Sequence, residues 1–112
     1  MDLSGRPDFL PHSLHQGTRM PIGLLTLEIY IPDAHSLKDK RQVLRSLKDK
    51  LRRDFNVAVA ELDHHDVWQR SVIGIVTLSN EEKHLREMLN KVLDEADRIL
   101  GSSLISQNFE II

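Results

Sequence analysis

The sequence predicts an α+β domain of order βαββαβ, in which a four-stranded antiparallel sheet carries two helices on one face, the ferredoxin-like arrangement. Three observations point there. Alternating apolar runs stand at either end of the periodic region, two stretches of helical period each follow a strand-like run, and a polar segment divides two extended runs in the middle.

The first strand is Ile22 to Ile31, with Leu25, Leu27, Ile29 and Ile31 on one face and Leu24, Thr26, Glu28 and Tyr30 on the other. Pro32 to His35 form a turn, and Ser36 with Asp39 three residues on has the form of a capping box, Asp replacing the usual Glu or Gln. Leu37, Leu44, Leu47, Leu51 and Phe55 then recur at helical spacing, which predicts a first helix from about Ser36 to Arg53. Val57 to Leu62 and Arg70 to Leu78 are extended, and the polar segment Asp63 to Gln69 makes them a hairpin with a substantial loop. A second capping box, Ser79 with Glu82, precedes a second helix with a broad apolar stripe of Leu85, Met88, Leu89, Val92, Leu93, Ala96, Ile99 and Leu100, and Gly101 stops it. In the last strand, Ser103 to Ile112, alternation places Ile105, Phe109 and Ile111 on one face and Leu104 and Ile112 on the other.

A chain of 112 residues holds one core, and with 40% apolar and 29% charged residues it is built to fold. The absence of cysteine excludes disulfide scaffolds, thiolate zinc sites, iron–sulfur clusters and thiol nucleophiles. The longest apolar stretch, Ile22 to Ile31, is far shorter than the roughly 20 residues of a membrane span. No basic cluster followed by an apolar run opens the chain, so the expected compartment is the cytoplasm. Residues 1–20, punctuated by Gly5, Pro7, Pro11 and Gly17, read as a flexible extension ahead of a single domain over residues 21–112, and Met20 offers an alternative translation start.

The net charge of −2 conceals a segregation. Residues 36–54 hold eight basic and three acidic side chains, a net of +5, which leaves −7 for the remainder. Lys38, Arg41, Arg45, Lys48 and Arg52 follow one another at spacings of three and four, so they form one stripe beside the leucines. Cations at this pitch suit a phosphate backbone, and each contact would release counterions. A solvated helix face whose long stems cover leucines accounts for the same residues.

The hairpin segment Glu61 to Arg70 gathers His64, His65 and Asp66 beside Asp63 and Glu61, which raises metal and acid–base chemistry. The spacing disfavours both, because neighbouring histidines on an extended chain point apart and no HxH or HxxxH pair is present. A polar hairpin whose Trp68 packs on the sheet and whose charges cap or pair locally explains the same residues. The face that the helices leave open is unusually apolar, with Leu24 and Tyr30 from strand one and Val72, Val76 and Leu78 from strand three, so a homodimer is expected. Strand three carries no aromatic residue where an RNA-recognition sheet would stack bases, so any nucleic-acid contact falls to the helix-one cations.

Four segments together carry a resemblance: Ile22 to Glu28, Ile31 to Arg41, Phe55 to Glu61 and Asp63 to Arg70, most specifically the run ending Lys40-Arg41 and the triplet Trp68-Gln69-Arg70. The chain over about 20–112 resembles the YlxP-like family of small bacterial proteins, a domain of unknown function. The resemblance implies a ferredoxin-like fold and, through the translation and transcription genes that neighbour the family, a role near RNA or the ribosome. It implies no catalytic residues.

The resulting expectation is a non-enzymatic cytoplasmic accessory factor that binds RNA or ribosomal particles, with no cofactor and no metal. Lys38, Arg41, Arg45, Lys48 and Arg52 would contact phosphates, Arg70 would extend that anion-binding surface, and Trp68 and His35 would add contacts. Two alternatives stand beside it: a small metal-dependent hydrolase using His35, His64, His65 and Asp66, and a module that binds an acidic protein partner.

Overall fold

The structure, a computed structural model, describes residues 20–64 and 66–112. The expected flexible extension therefore lies outside the described residues, apart from Met20, as does His65. The element order is β1 (Ile22–Tyr30), α1 (Leu37–Asp54), β2 (Ala58–Asp63), β3 (Arg70–Leu78), α2 (Glu82–Leu100) and β4 (Leu104–Ile111), with a single 3-10 turn, Gly101–Ser103, before the last strand. All strand pairs are antiparallel in the order β2-β3-β1-β4, the ferredoxin-like sheet predicted from the sequence.

The alternation in the strands sets the two faces. Leu25, Leu27 and Ile29 of β1, Ile73 and Ile75 of β3 and Val59 of β2 are buried beneath the helices. They meet Leu44, Leu47 and Leu51 of α1 and Leu85, Leu89, Val92 and Ala96 of α2 in one core cluster. At Gly23 a helix comes close: a Cβ there would stand 2.3 Å from Leu89 Cδ1, so only glycine lets α2 settle on this end of β1. Thr77, buried at the inward side of β3, donates its hydroxyl to the carbonyl of Asn56 at 2.7 Å, which removes the cost of placing it there.

Local chemistry differs from expectation at three points. Ser36 does cap α1, accepting from the Asp39 N–H at 3.1 Å, but the Asp39 carboxylate reaches back to the His35 N–H at 2.9 Å, one residue before the cap. The second box does not form: α2 begins two residues later than expected, after Glu81, and Ser79 instead accepts from the Glu81 N–H at 3.3 Å. In β4 the predicted faces are overturned near the start of the strand. Glu28 pairs with Ser106 and Ile29 with Leu104, so Ile105 is the extra residue of a bulge. Leu104 thereby packs against the core with Phe109 and Ile111, while Ile105 is exposed.

Candidate functional site

Helix α1 turns its buried side to the sheet through Lys40, Leu44, Leu47 and Leu51, at spacings of four, three and four. The stripe beside it looks past β2, the edge strand. Between α1 and β2 runs an open groove of about 510 Å³, lined by Arg41, Arg45, Lys48, Arg52 and Asp49 of the helix and by Glu61 of the strand, with Leu44 also contributing. Four of the five predicted stripe cations thus share one concavity. Lys38 is exposed on the same helix but does not line the groove. The Arg52 guanidinium also donates to the carbonyl of Val59 at 3.0 Å, which joins the helix to the outer side of β2 and occupies one of the groups an edge strand leaves unpaired. Arg53 is drawn away from the groove: it hydrogen-bonds Asp54, which holds that carboxyl below the usual carboxylate range.

The remaining predicted residues lie elsewhere. Arg70 does not extend the cationic surface, because strand alternation puts its side chain on the face opposite the helices, where the guanidinium lies 5.9 Å from the centre of the Tyr30 ring. His35 is exposed immediately before α1. Trp68 does not pack on the sheet: it is 53% exposed, in the loop between β2 and β3. Among the described residues no three His, Asp or Glu side chains gather in a way that could hold a metal ion. On the open face, Leu24, Ala58, Ala60, Leu62 and Val76 line a shallow apolar trough of about 190 Å³, and Leu62 lies over Gly74.

In the sequence Lys40 is one of the eight basic residues of 36–54. In the structure it is fully buried. Its ammonium donates to Glu61 Oε2 at 3.0 Å, to the His64 carbonyl at 2.6 Å and to the Arg70 carbonyl at 3.3 Å. The same Glu61 oxygen accepts the Ser71 hydroxyl at 2.6 Å. Three elements are joined by this cluster, the start of α1, the end of β2 and the start of β3. It also fixes the intervening loop, since the carbonyl that Lys40 holds belongs to His64, whose φ of +64° is a left-handed turn. The signal was available. Lys40 stands four residues before Leu44 in the buried stripe, and Glu61 and Ser71 occupy inward positions of their strands, so three polar groups share one end of the core.

The family described as "Protein of unknown function (DUF503)" matches residues 22–108. The chain belongs to the DUF503 family. A relative within reach of sequence comparison is "Uncharacterized protein YlxP" of Bacillus subtilis, 38% identical over 72 residues that cover 64% of this chain and 78% of the relative. The resemblance drawn from the sequence is thus established, and the family's function is unknown. Among solved structures, At3g17210 of Arabidopsis thaliana superposes with a TM-score of 0.51 at 10% identity, covering 81% of this chain and 92% of that one. SnoaB, a cofactor-independent oxygenase from Streptomyces nogalater, gives 0.46 at 12% identity, covering 82% and 90%. At such identities the likeness of this DUF503 domain to these proteins is one of fold alone. No helix among the described residues is long and apolar enough to cross a membrane.

Proposed function

We propose that this DUF503 domain is a non-enzymatic RNA-binding factor that grips phosphates in the groove between α1 and β2. The observation that carries the reading is the convergence of Arg41, Arg45, Lys48 and Arg52 on one groove, in a chain that is acidic outside that helix. Segregation of this kind steers a polyanion to one surface and repels it from the others. Arg suits the task because its planar guanidinium reaches a phosphate with two parallel N–H groups. The ribosomal particle is the partner that the family resemblance implies, and the cytoplasm the setting.

The test is the affinity for structured ribosomal RNA as salt is raised. Four phosphate contacts correspond to a slope of roughly −3 in log K against log salt, an affinity loss of about 50- to 150-fold between 50 and 200 mM. Replacing Arg41, Arg45 and Lys48 together with Glu should abolish binding, and unchanged affinity in that variant refutes the reading. A second reading is favoured by the position of the groove beside an edge strand. An extended acidic protein segment adding to β2 as a fifth strand would set its carboxylates among the same cations. Retention of the captured partner after nuclease treatment would select that reading instead.

A further inference from the structure

Trp68 is the only tryptophan in the chain, and it stands 53% exposed, next to Val67 at 42%. Folding ordinarily covers much of an indole of this size, so an indole left more than half exposed in a hydrogen-bonded loop is a feature to be explained. The backbone on either side is held. The Val67 N–H donates to the His64 carbonyl at 3.1 Å, the Gln69 carbonyl accepts from the Ile31 N–H at 2.8 Å, and the Gln69 side chain donates to the Pro32 carbonyl at 3.1 Å. The loop is therefore tied to the turn ahead of α1 as well as to itself.

The loop is joined to a wall of the groove through one atom. The His64 carbonyl oxygen accepts both from Val67, the residue before Trp68, and from the buried ammonium of Lys40, the residue before Arg41. Glu61, which pairs with Lys40, lines the groove itself. The cationic groove and the loop that bears the indole are thus fastened to each other at the start of α1 through a buried ion pair. A cationic groove joined in this way to a loop that carries an exposed aromatic ring offers the two elements that hold an unpaired strand: cations for the backbone and a ring on which a base can stack.

We propose that Trp68 stacks on an unpaired base of the RNA strand whose phosphates lie along Arg41, Arg45 and Lys48, so that the site selects single-stranded over duplex RNA. This rests on the groove reading above and adds the substrate class. Lys40 is in this scheme a positioning residue, since it holds the loop and is too deeply buried to touch the strand.

Because there is no other tryptophan, its emission reports the contact directly. The experiment titrates the full chain with single-stranded oligoadenylate and with the duplex of oligoadenylate and oligouridylate, following binding by anisotropy of labelled RNA and stacking by Trp68 fluorescence. The expected result is quenching by the single strand at saturation and none by the duplex. Trp68→Ala should weaken the single strand by about 10-fold with its salt slope unchanged, because no phosphate contact is removed, and Trp68→Phe should recover most of that loss. Arg45→Glu should weaken both RNAs. Binding that is lost in Arg45→Glu but unaffected by Trp68→Ala, without quenching, overturns the inference and leaves the groove reading standing. Equal quenching by the duplex overturns the single-strand preference. Failure of both RNAs to bind overturns the groove reading and this inference with it, and capture of a polyglutamate peptide in their place assigns the groove to an acidic protein.

Discussion

Replacing Lys40 with Met tests whether the buried ion pair holds the domain together as its geometry indicates. Methionine keeps most of the apolar stem that runs beside Leu44 and removes the ammonium. Lost with it are the hydrogen bonds to Glu61 at 3.0 Å and to the carbonyls of His64 and Arg70 at 2.6 and 3.3 Å. The Glu61 carboxylate, whose side chain is only 14% exposed, still accepts from Ser71 but faces the core without its countercharge. Breaking a buried pair from one side costs about 3–5 kcal/mol, most of it the penalty of the charge left behind. Against a total stability of roughly 5–15 kcal/mol the loss is large, and for a domain of this size it lowers Tm by at least about 12 °C. Urea unfolding followed by far-ultraviolet circular dichroism measures it; the exposed Trp68 is a poor reporter of unfolding, as its surroundings are already aqueous. The double variant Lys40→Met with Glu61→Gln carries no unpaired buried charge, so it should regain about 2 kcal/mol relative to the sum of the two single changes. A Lys40→Met variant within about 0.5 kcal/mol of wild type, or a cycle additive to within the same margin, would refute the assignment of Lys40 as a structural clasp.

Other expectations follow from packing and charge. Gly23→Ala places a Cβ 2.3 Å from Leu89 Cδ1 in the closed core and should cost about 1–3 kcal/mol. Gly74→Ala meets the tip of the exposed Leu62, which can swing aside, and should cost less than about 1 kcal/mol; equal losses in urea unfolding would contradict both placements. The apolar half of the open sheet face is expected to be covered by a second copy of the chain, so light scattering should give a dimer mass that Leu62→Glu with Leu78→Glu reduces to a monomer; a monomeric wild type at high concentration rules this out. Hydrogen bonds from Arg53 and Arg98 hold the carboxyls of Asp54 and Glu95 below the usual carboxylate range. Their stabilising effect is therefore present at neutral pH, being complete above the unfolded value, and disappears as the pH falls through the lowered one. Asp54→Asn with Glu95→Gln should accordingly lower Tm slightly at neutral pH and not at all in strong acid. A difference that persists in strong acid argues against these pairs as its source.

The element order, the strand faces and the cationic stripe were legible in the sequence because each depends on periodicity alone. Period two separates Leu25, Leu27 and Ile29 from Leu24, Thr26 and Glu28, and period 3.6 separates Leu44, Leu47 and Leu51 from Arg41, Arg45 and Lys48. Where periodicity is interrupted, the structure departs from the expected pattern. The bulge at Ile105 exchanges the faces of the first residues of β4, and nothing in a short apolar run announces an extra residue whose place is set by pairing with β1. Ser79 and Glu82 have the spacing of a cap, but the serine turns its hydroxyl to Glu81 and the helix begins later.

The sequence by itself determined the ferredoxin-like topology, the family and the presence of five cations on one side of one helix. Only the tertiary structure decided what that side faces. It set four of the cations in a groove against an edge strand and sent Arg70 to the opposite face of the sheet. It also turned Lys40 from a surface charge into a buried clasp. The physical reason is that Lys40, Glu61 and Ser71 are separated by up to 31 positions in the chain and meet only when α1, β2 and β3 pack, so their pairing energy belongs to no single segment. The same packing links the loop that carries Trp68 to Glu61 of the groove through Lys40, a connection that no local pattern encodes.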